Sequence, residues 1–267
     1  MLIRSLAMLG AAALYGVPEA YDATRENTAQ PCRIMRTVFQ QGNCSACAAF
    51  ASSSALSMRL CLMDKQDYIP SPYRLFDCVS PSCENGTSLR LTGAALMQGI
   101  PDVAASPQVF GLGCQHSLAH PLAALLFGYL VTFPDAMKLD ILFFGPSIVA
   151  VYANQALVRY NEHSVYVPED APPDADSRHS VVIVGWGAHP EPHWVVLNSW
   201  GQGWGDGGKA KVALRAFDRH YSWRTKGLTM VESCAVFAYF GFLFFLVAAC
   251  AVMLPEQEEE GGDECVV

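Results

Sequence analysis

A cysteine, a histidine and an asparagine, far apart in the chain, together supply what nucleophilic thiol chemistry requires. Cys47 stands in Gln41-Gly42-Asn43-Cys44-Ser45-Ala46-Cys47-Ala48-Ala49-Phe50, His179 precedes an apolar run, and Asn198 opens Asn198-Ser199-Trp200-Gly201. A thiol titrating near ~8.5 is mostly protonated at neutral pH. It needs an imidazole to take its proton and a third group to orient that imidazole. An asparagine side-chain carbonyl can do the orienting by accepting the imidazole N–H and so fixing its tautomer.

These groups must be held by regular elements. The segment from Cys47 to Met63 reads as a helix, with Phe50, Leu56, Leu60 and Met63 at helical intervals and no proline or glycine. A helix N-terminus carries positive partial charge, so a thiolate is favoured at Cys47. Ser180-Val181-Val182-Ile183-Val184-Gly185-Trp186-Gly187 reads as a buried β-branched strand ending in a glycine turn. Trp194-Val195-Val196-Leu197 reads as a second strand that delivers Asn198. Glycines alternate with Trp200 and Trp204 in the stretch that follows, a pattern suited to tight turns on large aromatics. The remaining histidines, His116, His120, His163, His189, His193 and His220, have no such context and are expected in loops.

The separations, 132 positions from Cys47 to His179 and 151 from Cys47 to Asn198, are close to the ~130–150 characteristic of papain and cathepsin proteases. On these motifs the chain resembles the papain superfamily, and within it the cathepsin B-like branch. Val17-Pro18-Glu19-Ala20-Tyr21-Asp22-Ala23 is similar to the start of a mature cathepsin B, and Gly145-Pro146-Ser147 with Tyr152 and Tyr160 to its Gly-Pro-Val segment. The resemblance spans residues 17 to 220, thinly between 90 and 140. It implies an α+β, two-lobed papain-like fold: a helical lobe over 17–140 carrying Cys47, and a β-barrel-like lobe over 141–233 carrying His179 and Asn198. It also implies that Gln41, six residues before Cys47, donates to the oxyanion of acyl transfer, an interaction typically worth ~10²–10³ in turnover. Asn85, Gly86 and Trp200 are implied at the substrate cleft, with Trp200 shielding the His–Asn hydrogen bond.

The expected activity is a cysteine endopeptidase working through a Cys-His-Asn acyl-enzyme on polypeptide substrates, without metal or organic cofactor. Cystatin-like proteins would be its inhibitors. The same acyl-enzyme could be captured by an amine, giving a transpeptidase. Cys114-Gln115-His116-Ser117 resembles the start of the cathepsin B occluding loop, but one histidine of the usual pair is present and the stretch to Gly145 is short. Endopeptidase rather than dipeptidyl carboxypeptidase activity follows. Around Tyr221 to Arg224 no carboxylate matches the one that admits arginine to the second pocket, so preference leans apolar. The family's tryptophan after the nucleophile is Ala48 here, Ser45 and Ala46 replace the usual glycine and serine, and its glycine pair after Cys83 is Asn85-Gly86. These departures keep open a rival reading, a catalytically degenerate, membrane-anchored binding protein of papain fold.

Ten cysteines favour disulfides, though number alone leaves connectivity open. The resemblance pairs Cys44 with Cys83, Cys32 with Cys61 and Cys78 with Cys114, leaving Cys47 as a free nucleophile. A redox Cys-x-x-Cys or a zinc half-site at Cys44 and Cys47 is the alternative, and it wants a second pair that the sequence does not offer.

Of 267 residues 52% are hydrophobic and 16% charged, a balance that excludes disorder, and no basic patch points to nucleic acid. The 21 residues from Cys234 to Leu254 carry no charge and are long enough to cross a ~30 Å hydrocarbon layer, so a transmembrane helix is expected there. Glu256, Glu258, Glu259, Glu260, Asp263 and Glu264 then make an acidic tail, expected in the cytosol, that carries six of the formal net charge of −8. Met1 to Arg4 followed by Ser5 to Leu14 reads as a signal peptide over residues 1–16, or as a precursor remnant. Likeness to the mature enzyme begins near Val17, so the family's inhibitory propeptide is expected to be missing or incomplete. Together these place a single-pass membrane protein on the secretory or endolysosomal route, its catalytic body lumenal or extracellular. Asn85-Gly86-Thr87 is a candidate glycosylation acceptor. The proline-rich polar stretch from Pro168 to Asp176 is expected as a surface loop.

Overall fold

A computed structural model of the chain describes residues 16–26, 32–80, 82–117, 127–131, 134–161, 164–168, 178–217 and 220–224. Fifteen N-terminal residues, most of the polar loop before His179, and everything after Arg224 lie outside this set. So do the expected signal, transmembrane and tail segments. Among the described residues no helix is long and apolar enough to cross a membrane.

Among the described residues, the first elements are strand β1 (Tyr21–Asp22) and the short helix α1 (Ala23–Glu26). The helical region then holds α2 (Cys47–Asp64), α3 (Pro72–Val79) and α4 (Leu89–Met97). Helix α2 is buried on every side from Cys47 to Cys61, because its small residues let neighbours approach and its hydroxyls find partners. Ser52 Oγ meets Thr92 Oγ1 at 2.9 Å, Ser57 Oγ donates to Ser53 O at 2.6 Å, and Ser53 Oγ donates to Pro70 O. A polar group without such a partner would cost about 1–3 kcal/mol there. The helix stops at Lys65, whose backbone is left-handed with φ 58° and whose N–H satisfies Cys61 O. Ser71 and Ser88 cap α3 and α4 through their hydroxyls.

The second region is an antiparallel sheet with α5 (Pro134–Phe144) and α6 (Gln155–Val158). Its strands β2 (Phe127–Val131), β3 (Ser147–Tyr152), β4 (Arg178–Gly187), β5 (His193–Leu197), β6 (Lys209–Ala213) and β7 (His220–Arg224) run in the order β2-β7-β3-β4-β5-β6, with β1 added to β4. Strand alternation explains how the sheet serves two cores. Ile148, Val182, Val184 and Leu197 face the helical cluster around Phe50, Leu56 and Leu60, while Val149, Val151, Val181, Ile183 and Val196 face a second cluster with Trp186, Trp194 and Val212. Met137 and Ile141 of α5 join that second cluster.

The two regions are pinned by a buried cation. Arg59, in α2, donates to Pro146 O at 2.7 Å, Gly145 O at 2.8 Å and Ser147 Oγ at 2.7 Å, and pairs with Asp140 of α5 at 2.7 Å. Its partners lie where α5 hands over to β3, and β3 pairs with the strand that bears His179 through Val151.

One expectation about the histidines is corrected. His193 opens β5 and is buried at 4% exposure, and His220 opens β7. His193 can leave water because its Nδ1 lies 2.7 Å from the Glu191 carbonyl, within the turn that starts the strand.

Candidate active site

Cys47 is the first residue of α2 and is wholly buried. Ala46, before it, offers no side chain to cap the helix, so the positive end of α2 remains available to a thiolate at Cys47. The Cys47 sulfur accepts the Ser180 N–H at 3.2 Å. That contact brings the helix start to the residue immediately after His179, 133 positions away.

His179 sits in the outer part of β4 and Asn198 just beyond β5, in adjacent antiparallel strands whose register pairs Val182 with Leu197. Their side chains meet, His179 Nε2 lying 2.7 Å from Asn198 Oδ1. Asn198 Oδ1 also accepts the Ser199 N–H at 2.8 Å, which identifies that atom as the carbonyl oxygen. Nε2 must therefore carry the proton, and Nδ1 keeps the lone pair in the neutral ring. Nδ1 is buried without a hydrogen-bond partner. Burial pushes the imidazole down to about 4, outweighing the Asn198 hydrogen bond, which acts in the raising direction. At neutral pH His179 is a neutral base with its acceptor nitrogen unengaged.

Trp200 stacks on this ring, centroids 4.6 Å apart and planes 24° from parallel, and Trp204 meets Trp200 edge-on at 5.3 Å. The indole covers the His–Asn pair from one side. Gly201 follows at φ 80°, where an added Cβ would come 2.4 Å from Gln40 Oε1. Only glycine fits that turn without a shift.

Gln41 is tied to the asparagine loop from both ends. Its N–H donates to Ser199 O at 2.8 Å and its Oε1 accepts Ser199 Oγ at 2.5 Å. Its amide nitrogen donates to Cys44 O at 2.8 Å, which uses one of two N–H groups and leaves the other for an oxyanion. The loop from Gln40 to Ala46 is fixed further by the Gln40–Trp200 bridge and by Ser45 N donating to Cys83 O at 3.0 Å.

Cys44 is bonded to Cys83, Cys32 to Cys61 and Cys78 to Cys114. The first of these holds the turn containing Asn85 and Gly86 beside the loop that leads into Cys47. Asn85 is exposed there, its carbonyl accepting Ser80 Oγ at 2.9 Å. Cys47 differs from the expectation of a free thiol: its sulfur is disulfide-bonded, and the other six described cysteines pair among themselves. Reduction is required before the Cys47 thiol can act. A cavity of about 470 Å³ lined by Gln155, Arg159, Tyr160, Asn161 and Tyr166 shares no residue with this constellation.

Arg59 is the site-supporting residue that sequence reasoning missed. The signal was present: it is the sole charge in the run from Cys47 to Met63. A cation inside an otherwise uncharged, buried helix needs an anion.

Residues 17–224 match the description "Papain family cysteine protease". The chain belongs to the papain family. It is 31% identical to mouse cathepsin K over 205 residues, 74% of this chain and 60% of the relative, and 30% identical to chicken cathepsin K over 207 residues, 73% of this chain and 59% of the relative. A gut-specific cysteine proteinase of Caenorhabditis elegans is 26% identical over 74% of this chain and 69% of its own length. The chain thus spans about three fifths of the length of the cathepsin K relatives it matches. Among solved structures, procathepsin B S9 from Trypanosoma congolense overlays with a TM-score of 0.65 at 22% identity, covering 79% of this chain and 78% of that one. Digestive procathepsin L 3 from Tenebrio molitor larval midgut gives 0.65 at 20%, over 78% and 70%. At these identities the overlays speak for the fold: a papain-like α+β arrangement of a helical region and an antiparallel sheet.

Proposed function

We propose that the chain is a cysteine endopeptidase whose reduced Cys47 attacks the peptide carbonyl, with His179 as base and acid and Asn198 as its orienter. The observation that carries this is the His179–Asn198 contact at 2.7 Å, which leaves Nδ1 unengaged while the Cys47 sulfur lies against the next backbone N–H. Nδ1 takes the thiol proton, and the sulfur forms a bond to the substrate carbonyl carbon. The oxyanion is stabilised by the second Gln41 N–H and the Cys47 N–H at the helix start. His179 then protonates the leaving amine, and water clears the acyl-enzyme.

Membership of the cathepsin B-like branch is supported by the Cys32–Cys61 bridge, and a reduced occluding loop by the short stretch after Cys114. Three disulfides fit an oxidising, lumenal compartment. Anchoring through residues 234–254, polypeptide substrates and inhibition by cystatin-like proteins belong to the same proposal.

The disulfide on Cys47, its complete burial and Ala48 in place of the family's tryptophan favour a second reading, a binding protein of papain fold without turnover. Hydrolysis of a fluorogenic peptide by the reduced protein at mildly acidic pH separates the two. Turnover lost in Cys47→Ala supports the enzyme; binding of the peptide without turnover supports the binder.

A further inference from the structure

We infer that Cys78, Cys114 and His116 form a zinc site that opens when the Cys78–Cys114 disulfide is reduced. The sulfurs and a ring nitrogen of these residues all lie within 4.8 Å of one another, and Cys114 Sγ is 3.2 Å from His116 Nε2. In a tetrahedron with Zn–S of about 2.3 Å and Zn–N of about 2.0 Å, sulfur and nitrogen stand about 3.5 Å apart and two sulfurs about 3.8 Å. The Cys114–His116 edge is nearly in place, and breaking the S–S bond frees the other sulfur to complete it. Two thiolates, one imidazole and a water make a Cys₂His set typical of zinc.

The site differs from the other bridges in exposure. Cys114 and His116 are exposed and Cys78 is half-buried; in the other two bridges Cys83 is half-buried and Cys32, Cys44 and Cys61 are at most 4% exposed, so only this bridge has an exposed sulfur-bearing residue. Reductants reach exposed disulfides first.

The ligands stay near one another after reduction because the loop is anchored independently. Cys78 lies on α3 with Arg74 and Asp77. Arg74, wholly buried, pairs with Asp77 at 2.9 Å and donates to Val109 O and, at 3.4 Å, to Gly113 O. Asp77 accepts the Gly111 and Leu112 N–H groups, both at 3.0 Å. Phe110 packs on Tyr73 and Phe76, and Ser117 N donates to Gly99 O at 3.1 Å on the far side of His116.

The chemistry balances with a dithiol or phosphine reductant. A phosphine takes oxygen from one water to become its oxide, and the two water protons go to the two sulfurs as the S–S bond breaks. Zinc then displaces both protons to solvent as two Zn–S bonds form.

The test titrates zinc, against a chromophoric chelator, into the full chain before and after mild phosphine reduction, with alkylation mapping to show which bridge opened. One zinc per chain is expected only after the Cys78–Cys114 bridge opens, with cobalt in its place giving a thiolate-to-metal absorption band. His116→Ala keeps the disulfide and should weaken binding at least about tenfold. Cys78→Ser/Cys114→Ser should abolish it. Equal binding by the unreduced protein, unchanged binding in both variants, or new proteolysis within 109–117 on reduction would each overturn the inference.

Discussion

Replacing Arg59 by methionine removes the cation that joins α2 to the sheet. The guanidinium and its Asp140 partner are 3% and 5% exposed at the side chain, and three further acceptors converge on it: Gly145 O, Pro146 O and Ser147 Oγ. Methionine fills much of the volume but leaves Asp140 as a buried anion without its cation. Breaking a buried pair from one side costs about 3–5 kcal/mol, and stranded carbonyls add to that without summing simply. Against a total stability of about 5–15 kcal/mol, the variant should unfold at much lower urea concentration. Arg59 lies about 18 Å along the helix axis from Cys47, twelve residues at 1.5 Å each. Alkylation of reduced Cys47 by a peptidyl epoxide, counted per folded molecule, should therefore survive while stability falls. Arg59→Met/Asp140→Leu, which removes both charges, should recover part of the loss. Equilibrium urea unfolding of the two variants and the parent decides it. A loss under about 1 kcal/mol in Arg59→Met, or a double variant no more stable than the single, refutes the strut.

Other consequences follow from the geometry. His179 is held neutral by burial, its folded value pushed down to about 4 against an ordinary 6.5, so the unfolded chain binds the proton more readily. Stability from this residue is present above pH 6.5 and is lost as pH falls toward 4, by about 3 kcal/mol in order of magnitude. Urea midpoints across pH 4–7 should show a drop that flattens in His179→Gln. Trp200→Ala uncovers one face of the imidazole, and its titration, followed by NMR of the ring protons, should move up toward 6.5; an unmoved value would mean the indole excludes no water. A Cβ on Gly185 would meet the Tyr21 carbonyl oxygen at 1.9 Å, so Gly185→Ala should displace β1 from β4. The expected cost is about 1–3 kcal/mol, read as a lower Tm and faster proteolysis near residue 22.

The sequence disclosed those parts of the fold that are written in local pattern. The apolar spacing and lack of breakers from Cys47 to Met63 mark α2, and the β-branched run after His179 marks β4, because helix and strand periodicities impose themselves within one element. That Cys47 and Ser180 would touch was legible only through family motifs, since a contact across 133 positions leaves no local trace. The Arg59–Asp140 pair, 81 positions apart, is of the same kind. His193 differs for another reason: no local pattern marks a histidine for burial, and the nearby Glu191 carbonyl is what makes it tolerable.

Mass-spectrometric mapping of a peptidyl epoxide on the reduced protein tests the active-site assignment most directly. The account predicts a single adduct on the Cys47 sulfur, slowed strongly in His179→Ala and Asn198→Ala and absent in Cys47→Ala. An intact, fully reduced Cys47 that stays unlabelled while other thiols react would contradict it.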